Sequence, residues 1–363
     1  MNRAAFKLVE MDSVFGLTWE FAERDLCFVD VCGGPGSWTE YVMWRRAFCD
    51  HHLRTFGYGM TLVVASLDWN AYKMNQWSKS MYRGLLHENA RCKALYGPRQ
   101  DGDVTRPDNI HSLVSKVHKR SNLFLADGGF DVSESPNEQE RLSQRLFLCQ
   151  MALGMSVLAE RGHLVCKLFD AFTQPTQDII YIASRCFSEI TLYKPVSSRP
   201  ANSERYLVCK GFLATAATRE AVAAMLELNE ALERTTSSSL SSLEHCPEYA
   251  HTLGHYHQSM LEDEAFVEYL RERNDTMTMS QISHLKRTFT YVQDPYLQSV
   301  DQHSIGREFF RYWNMSTEST EYNPTRKAFE DYVRSIHSRG YNPRKPSLNT
   351  DSKTLEFLLV SVE

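Results

Sequence analysis

The sequence predicts an α/β fold: a Rossmann-like, doubly wound and mostly parallel sheet, followed by an α-helical C-terminal region. Up to about residue 214, short apolar runs alternate with helical patterns, which is typical of a parallel sheet covered on both faces. A glycine-rich turn follows the first run, where an open α/β sheet binds its ligand. Beyond residue 214 the strand signals end and amphipathic helical patterns continue.

The predicted strands are short and lie between helical segments. The longest predicted helix, residues 139–162, ends at Arg161 and Gly162, a common helix stop. Residues 66–121 are polar and irregular in pattern, so we expect long surface loops there. The six predicted strands are 26–32, 56–63, 122–127, 162–169, 187–193 and 204–211.

We divide the chain into a first domain, residues 1–214, and an acidic helical region, residues 215–363. The region either packs on the first domain as a unit or consists of appended helices without a core of their own. A Ser-rich linker is expected at 236–242. The predicted helices are 218–235, 260–273, 278–292, 305–314 and 325–338.

Composition and charge narrow the class of protein. We expect neither a membrane span nor a signal peptide, because no sufficiently long apolar run exists. The nine cysteines form no C-x-x-C motif, so we expect free thiols in a reducing, intracellular compartment. The first domain carries 25 basic and 23 acidic residues and the helical region 15 and 22, so net charge neither favours nor excludes RNA.

The glycine-rich turn reads CGGPGSW over residues 32–38. It matches neither the dinucleotide fingerprint nor the phosphate-binding loop that ends in Gly-Lys-Ser/Thr. Glycines let the backbone approach a ligand closely, and Pro35 stiffens the turn. By itself the turn indicates a nucleotide-like ligand, or else only a tight connection from strand to helix.

Four polar residues stand in separate elements, three of them at the start or end of a predicted strand: Lys7, Asp127, Lys167 and Glu204. A doubly wound sheet gathers such side chains at the carboxyl ends of its strands. Simpler interpretations exist for three of them: Lys7 as a surface lysine, Asp127 as a turn cap and Glu204 in a surface ion pair.

The motifs around these residues resemble the FtsJ-type ribose 2′-O-methyltransferases, above all their cap-specific mRNA branch. The segments that carry the resemblance are NRAAFK, DVCGGPG, DGDVTRP, LADGGFD, VCKLFD and KPVSSRPANSERY. It is strong over residues 1–214 and weak over 266–274 and 289–314. It implies the methyltransferase form of the fold, S-adenosylmethionine (SAM) as cofactor and capped RNA as substrate, with a cap 1 product. The family implies the nucleus as compartment, with the cytoplasm as the alternative.

The resemblance assigns the four polar residues to a catalytic Lys-Asp-Lys-Glu tetrad. A ribose hydroxyl is a poor nucleophile, so its attack on a methyl group needs a base and alignment. Lys167 is the expected base, and we expect burial and the neighbouring Lys7 to lower its pKa. Asp127 and Glu204 would hold the lysines, and Asp127 would lie nearest to the methyl group.

The resemblance also implies binding residues. For the cofactor these are Gly33, Gly34, Pro35, Gly36, Ser37, Asp103 on the adenine side, and Asp127. For RNA and cap they are Asn137, Ser198, Arg199, Asn202 and Ser203. Hydroxyl, amide and guanidinium groups suit phosphate and ribose. In the relatives part of the cap pocket precedes the NRAAFK motif, so either an upstream segment supplies it or the cap is bound differently.

Alternatives stay open at this point. The substrate could be an internal site of ribosomal or transfer RNA, or the chain could be an inactive homologue that binds RNA or acts as a scaffold. The acidic helical region is a candidate surface for proteins of the capping or transcription machinery. Cys246, His251, His255 and His257 have a spacing compatible with zinc, but we interpret them as part of a surface linker and expect no metal.

Overall fold

The computed structural model describes residues 3–46, 53–63, 90–130, 136–235, 242–244 and 246–294. Its strands are β1 (Leu26–Val31), β2 (Thr55–Met60), β3 (Ala90–Leu95), β4 (Ser121–Ala126), β5 (Leu158–Phe169), β6 (Phe187–Tyr193) and β7 (Glu204–Phe212). They form one sheet in the order β3-β2-β1-β4-β5-β7-β6. The first five run parallel, and β7 pairs antiparallel with both β5 and β6. The prediction of a mostly parallel sheet is confirmed.

The helices in the described ranges are α1 (Arg3–Phe15), α2 (Ser37–Arg46), α3 (Pro107–Val117), α4 (Gln139–Val157), α5 (Gln174–Cys186), α6 (Ala216–Thr235), α7 (Pro247–Glu262) and α8 (Glu264–Gln293). They cover both faces of the sheet, because successive strand residues point to opposite sides. Phe28 packs with α1 and α2 on one face, whereas Val29 and Phe124 pack with α3, α4 and α5 on the other. None of these helices is apolar over a length that would cross a membrane.

The described part of the segment 66–121, for which the sequence predicted surface loops, contains one strand and one helix. They are β3 and α3, so that prediction was wrong for 90–95 and 107–117. β3 is an edge strand and carries polar residues, which weakens the apolar signal of a strand. In α3 the apolar residues Ile110, Leu113 and Val117 are buried and follow the i, i+3, i+7 spacing of an amphipathic helix, a signal that the prediction overlooked.

The predicted helix 139–162 ends earlier than expected. α4 ends at Val157 and β5 begins at Leu158, so the Arg161-Gly162 pair lies inside a strand. Arg161 has a φ of 66°, and the pairing of β4 with β5 changes register nearby. A left-handed residue next to glycine occurs both at helix ends and at β-bulges, so the local sequence did not distinguish the two.

The helical region also differs from the prediction after α6. The segment 246–257, interpreted as a linker, forms most of α7, and Gly254 does not interrupt it. The predicted helix 260–273 is divided at Asp263, which caps α8 by accepting a hydrogen bond from the backbone N–H of Phe266. From there α8 is continuous and includes 278–292. The linker 236–242, apart from Ser242, and the predicted helices 305–314 and 325–338 lie outside the described residues.

The C-terminal helices share the apolar core of the sheet. One continuous cluster of buried side chains joins α4 and α5 to α6, α7 and α8, with Met225, Leu228, Leu253, Met260 and Phe266 among its members. The described part of the helical region therefore packs directly on the first domain. The eight cysteines in the described ranges are all free thiols.

Candidate active site

The four residues of the predicted tetrad meet at the carboxyl edge of the sheet. Lys7 comes from α1, Asp127 directly follows β4, and Lys167 lies near the end of β5. Glu204 is the first residue of β7. Because β7 runs antiparallel to β5, its beginning lies beside the end of β5, and Lys167 pairs with Tyr206 across the two strands.

The two lysines and two carboxylates form a chain of ion pairs. Lys167 Nζ lies 2.8 Å from Asp127 Oδ1 and 3.6 Å from Glu204 Oε2, and it donates to the Asp127 carbonyl at 2.9 Å. Lys7 Nζ lies 2.8 Å from Glu204 Oε1. The side chains are only 9–16% exposed, so these are not surface ion pairs of the kind that contribute little. The surface interpretations of Lys7 and Glu204 were wrong.

A fifth residue, Tyr206, belongs to this cluster and was not singled out from the sequence. Its hydroxyl donates to Asp127 Oδ1 at 2.7 Å and accepts from Lys7 Nζ at 3.1 Å. The ring is fully buried, and burial together with the adjacent carboxylates raises the pKa of the phenol. Strand alternation places Glu204 and Tyr206 on the same face of β7, a signal that could have identified it.

The charged neighbours of Lys167 contradict the expectation that its pKa is lowered. Burial opposes the charge of Lys167, but the carboxylates of Asp127 and Glu204 outweigh burial and raise its pKa above the ordinary value. The expected lowering of this pKa was wrong, because two carboxylates lie within 3.6 Å of the ammonium. Burial would raise the pKa of Glu204, but the ammonium groups of Lys167 and Lys7 lower it to about 2.

Packing fixes the position of α1 and therefore of Lys7. Ala5 and Leu8, on either side of Lys7, are buried. The indole of Trp38 on α2 donates to the carbonyl of Ala4 at 2.8 Å, and its ring lies 5.6 Å from that of Tyr206. The helix that follows the glycine-rich turn thus holds the helix that carries Lys7.

The glycine-rich turn lies at the same edge of the sheet. A Cβ atom at Gly33 would lie 2.5 Å from Asp30 Oδ1, and Gly36 has a φ of 103°, so both positions require glycine.

The buried carboxyl of Asp30 lies beneath this turn. Thr39 donates to Asp30 Oδ2 through its backbone N–H and its hydroxyl, while Oδ1 has no partner in the described part of the chain. Burial raises the pKa of Asp30 to about 7, although the bonds from Thr39 oppose this. Gly34 and Pro35 are half-buried, and Ser37 begins α2.

The segments after β2 and β3 complete this edge. The N–H of Gly34 donates to Thr61 Oγ1, and the N–H of Val63 donates to the carbonyl of Asp101. Gly102, next to Asp103, lies against the backbone of Thr61, because a Cβ atom there would lie 1.8 Å from the Thr61 carbonyl oxygen. The turn after β1 and the loop that carries Asp103 therefore form one wall beside the tetrad.

The residues predicted to bind RNA and cap differ from one another in burial and in hydrogen-bond partners. Ser198 is buried and donates to Glu204 Oε1 at 2.5 Å, so its hydroxyl faces the tetrad. Asn202 accepts from Lys194 Nζ at 2.9 Å, and Ser203 donates to Gln139 Oε1 at 3.0 Å. The predicted residues that are exposed are Arg199 and Asn137.

The cysteine and histidines weighed as zinc ligands lie on or next to α7. His257 Nδ1 lies 2.9 Å from Oδ1 of the buried Asp178 on α5, which also accepts from the Tyr249 hydroxyl. His257 thus joins two helices. Over the described ranges, no group of three or more His, Cys, Asp or Glu side chains is arranged to hold a metal ion.

The sheet order, the glycine-rich turn after β1 and the charged cluster beside it define a Rossmann-like methyltransferase fold. Sequence comparison supports the same class. The chain belongs to the family of FtsJ-like methyltransferases, which matches residues 1–212.

Curated relatives extend this match into the helical region. The chain is 34% identical over 377 residues to cap-specific mRNA (nucleoside-2′-O-)-methyltransferase 1 of Danio rerio, covering 96% of this chain and 42% of the relative. For the protein of that name from Homo sapiens the identity is 32% over 380 residues, with 98% and 42% covered. The chain therefore spans less than half the length of these relatives. Among solved structures, human methyltransferase-like protein 13 in complex with SAH aligns with a TM-score of 0.37 and 14% identity, covering 63% of this chain and 92% of that one.

Proposed function

We propose that the chain transfers a methyl group from SAM to the ribose 2′-hydroxyl of a nucleotide next to the mRNA 5′ cap, giving a cap 1 product. The observation that carries the proposal is the position of Lys167. Its amino group lies between two carboxylates at the sheet edge that also holds the glycine-rich turn. A neutral amine in such a place can accept a proton from a hydroxyl, and the two carboxylates then balance the charge of the ammonium that forms.

The described residues fit SAM as the cofactor. Gly33 and Gly36 stand at positions that accommodate only glycine. Because neither has a side chain, a ligand can approach the backbone of the turn closely. Asp103 would bind the adenine side and Asp127 would lie near the reactive end of the cofactor. When bound, SAM supplies a methyl group on a positively charged sulfur.

The protein groups would act on the nucleophile. Lys167, once neutral, would accept the proton of the ribose hydroxyl, and Lys7 would orient that hydroxyl through its remaining N–H donors. Asp127 and Glu204 hold the two lysines, while Tyr206 links Lys7 to Asp127. Because these side chains are packed and hydrogen-bonded to one another, they would need little rearrangement to align the ribose hydroxyl.

Two observations support a capped RNA as substrate. The curated relatives at 34% and 32% identity are named for cap-specific methylation of mRNA. The segment between β6 and β7 leads directly into Glu204 and exposes Arg199, whose guanidinium suits a phosphate.

The test compares two RNAs of identical sequence, one with a 5′ cap and one with a 5′ triphosphate, using the whole chain and methyl-labelled SAM. We expect label only on the capped RNA, and nuclease mapping should place it on the ribose of the first transcribed nucleotide. Equal labelling of both RNAs would contradict cap specificity and favour internal RNA sites. No labelling of any RNA, with SAM still bound, would favour an inactive homologue.

A further inference from the structure

The first helix of the C-terminal region, α6, contacts the loop that carries Asp103. Asn229 on α6 donates through Nδ2 to the carbonyl of Thr105 at 2.9 Å. Four residues further along the helix, Glu233 Oε1 accepts from Arg106 at 2.7 Å. Two neighbouring residues of the loop are thus held by two side chains on one face of α6.

A buried arginine on α4 completes this contact. Arg145 Nε donates to Asn229 Oδ1 at 3.1 Å, and one of its terminal nitrogens lies 2.8 Å from Glu233 Oε2. The same nitrogen donates to the Thr105 carbonyl at 3.3 Å. Arg145 is fully buried, Asn229 is 1% exposed and the Glu233 side chain is 18% exposed. The bonds of Arg145 are therefore largely shielded from water, and hydrogen bonds to charged groups are strong in such surroundings.

The held residues in turn orient Asp103. The backbone N–H and the hydroxyl of Thr105 donate to Asp103 Oδ1 at 2.9 Å and 2.7 Å. Arg106 Nε lies 3.6 Å from Asp103 Oδ2. A shift of Thr105 and Arg106 would therefore rotate or displace the Asp103 carboxylate.

The ionisation of Glu233 is consistent with this role. Partial burial would raise its pKa, but the hydrogen bonds from Arg145 and Arg106 and their charges lower the pKa below the ordinary value. Glu233 is therefore a carboxylate at neutral pH, and each of its two oxygens is engaged by a different arginine.

We propose that Glu233 and Asn229 are positioning residues for the cofactor: α6 sets the conformation of the Asp103 loop and so contributes to the affinity for SAM. This rests on the proposed function, in which Asp103 binds the adenine side. The C-terminal region would then be part of the cofactor site, independently of any protein partner that it binds.

The test uses the full chain with Glu233→Ala and Glu233→Gln, and Glu227→Gln as the matched control on an exposed position of the same helix. We expect the Kd for SAM and for its product S-adenosylhomocysteine, measured by calorimetry, to rise about tenfold in Glu233→Ala. Glu233→Gln keeps one acceptor oxygen, so its Kd should rise about threefold. The control should bind as the unmodified protein does.

Kinetics separate positioning from a merely structural role. In Glu233→Ala the KM for SAM should rise in parallel with the Kd, while the KM for RNA and the kcat at saturating SAM stay within about twofold. A loss of active protein with an unchanged KM for SAM would overturn the proposal, as would unchanged SAM binding by folded Glu233→Ala. If that variant does not fold, Glu233→Gln decides in the same way. Failure of the unmodified protein to bind SAM would instead refute the proposed function, and this inference with it.

Discussion

The protonation state of Lys167 determines what the cluster can do at the scale of single residues. A general base must lose its proton first, yet Asp127 and Glu204 raise the pKa of Lys167 above its ordinary value. The amine is therefore an ammonium at neutral pH in the protein without cofactor. A positively charged sulfur beside an ammonium lowers its pKa, so binding of the methyl donor would favour the neutral amine that the reaction needs.

The first prediction concerns the pH dependence of methyl transfer. Below the pKa of Lys167 the neutral fraction grows about tenfold per pH unit, so the single-turnover rate at saturating SAM and RNA should rise with pH from about 6.5 to 9. The measurement is a pH–rate profile with labelled SAM. A rate that stays flat across this range would contradict Lys167 as the base.

The second prediction removes the amine while keeping the shape of the side chain. Lys167→Met should lower the rate of methyl transfer by about 100-fold or more, because it removes the amine that lies between Asp127 and Glu204. Binding of SAM, measured by calorimetry, should remain detectable. The control is Lys116→Met, since Lys116 is exposed near the end of α3 and is not part of the charged cluster. Transfer by Lys167→Met near the unmodified rate would refute the assignment.

At the scale of elements, the segment between β6 and β7 is held against α1 by one carboxylate. Glu10 is fully buried; its Oε1 accepts from the Tyr193 hydroxyl and the Val196 N–H at 2.7 and 2.8 Å. Its Oε2 accepts from the N–H and hydroxyl of Ser197 at 3.1 and 2.9 Å. Burial raises the pKa of Glu10, although these bonds oppose the shift. The helix that carries Lys7 therefore anchors the segment that leads to Glu204.

The third prediction follows from this anchor. In Glu10→Gln one acceptor oxygen becomes a donor that faces other donors, which should loosen the segment that carries Arg199. Since a lost charge-assisted bond is worth about 1.5–3 kcal/mol, we expect the KM for capped RNA to rise about tenfold while the Kd for SAM is unchanged. Steady-state kinetics and calorimetry measure the two. Glu189→Gln, exposed on β6, is the control; an equal loss of SAM affinity would argue against a role confined to RNA.

The elements themselves were predictable to different degrees. Most ends of the strands at the centre of the sheet were predicted to within one residue, and the exceptions were the end of β2 and the start of β5. These strands were recognised because each contains a short run of buried apolar residues. The edge strand β3 was missed, since an edge needs no such run. The end of α4 was misplaced, because Arg161 and Gly162 satisfy a bulge as readily as a helix stop.

At the scale of the whole molecule, the first domain and the C-terminal helices share one core. Leu228 and Met225 on α6 are fully buried in the cluster that includes α4 and α5. Glu233 on the same helix holds the loop of Asp103. The boundary near residue 214 therefore separates two kinds of sequence pattern, while the described side chains pack across it.

The fourth prediction tests this shared core. Leu228→Ala should lower the free energy of unfolding of the whole chain by about 2–5 kcal/mol, because it removes a buried side chain. Thermal unfolding followed by circular dichroism and by calorimetry should still show coincident transitions. Glu227→Ala, exposed on the same helix, should change stability by less than about 0.5 kcal/mol. A separate early transition in Leu228→Ala would contradict a common core.

The sequence alone determined the fold class and the glycine-rich turn, because both depend on local pattern. The four tetrad residues lie in separate parts of the chain, and only the family resemblance of the motifs around them grouped them. Only the tertiary structure showed how the four residues are charged, that Tyr206 contacts two of them and that α6 holds the Asp103 loop. These depend on groups such as Asn229 and Thr105, 124 positions apart in sequence and 2.9 Å apart in space. Electrostatic and hydrogen-bond energies follow distance and burial, and a linear pattern records neither.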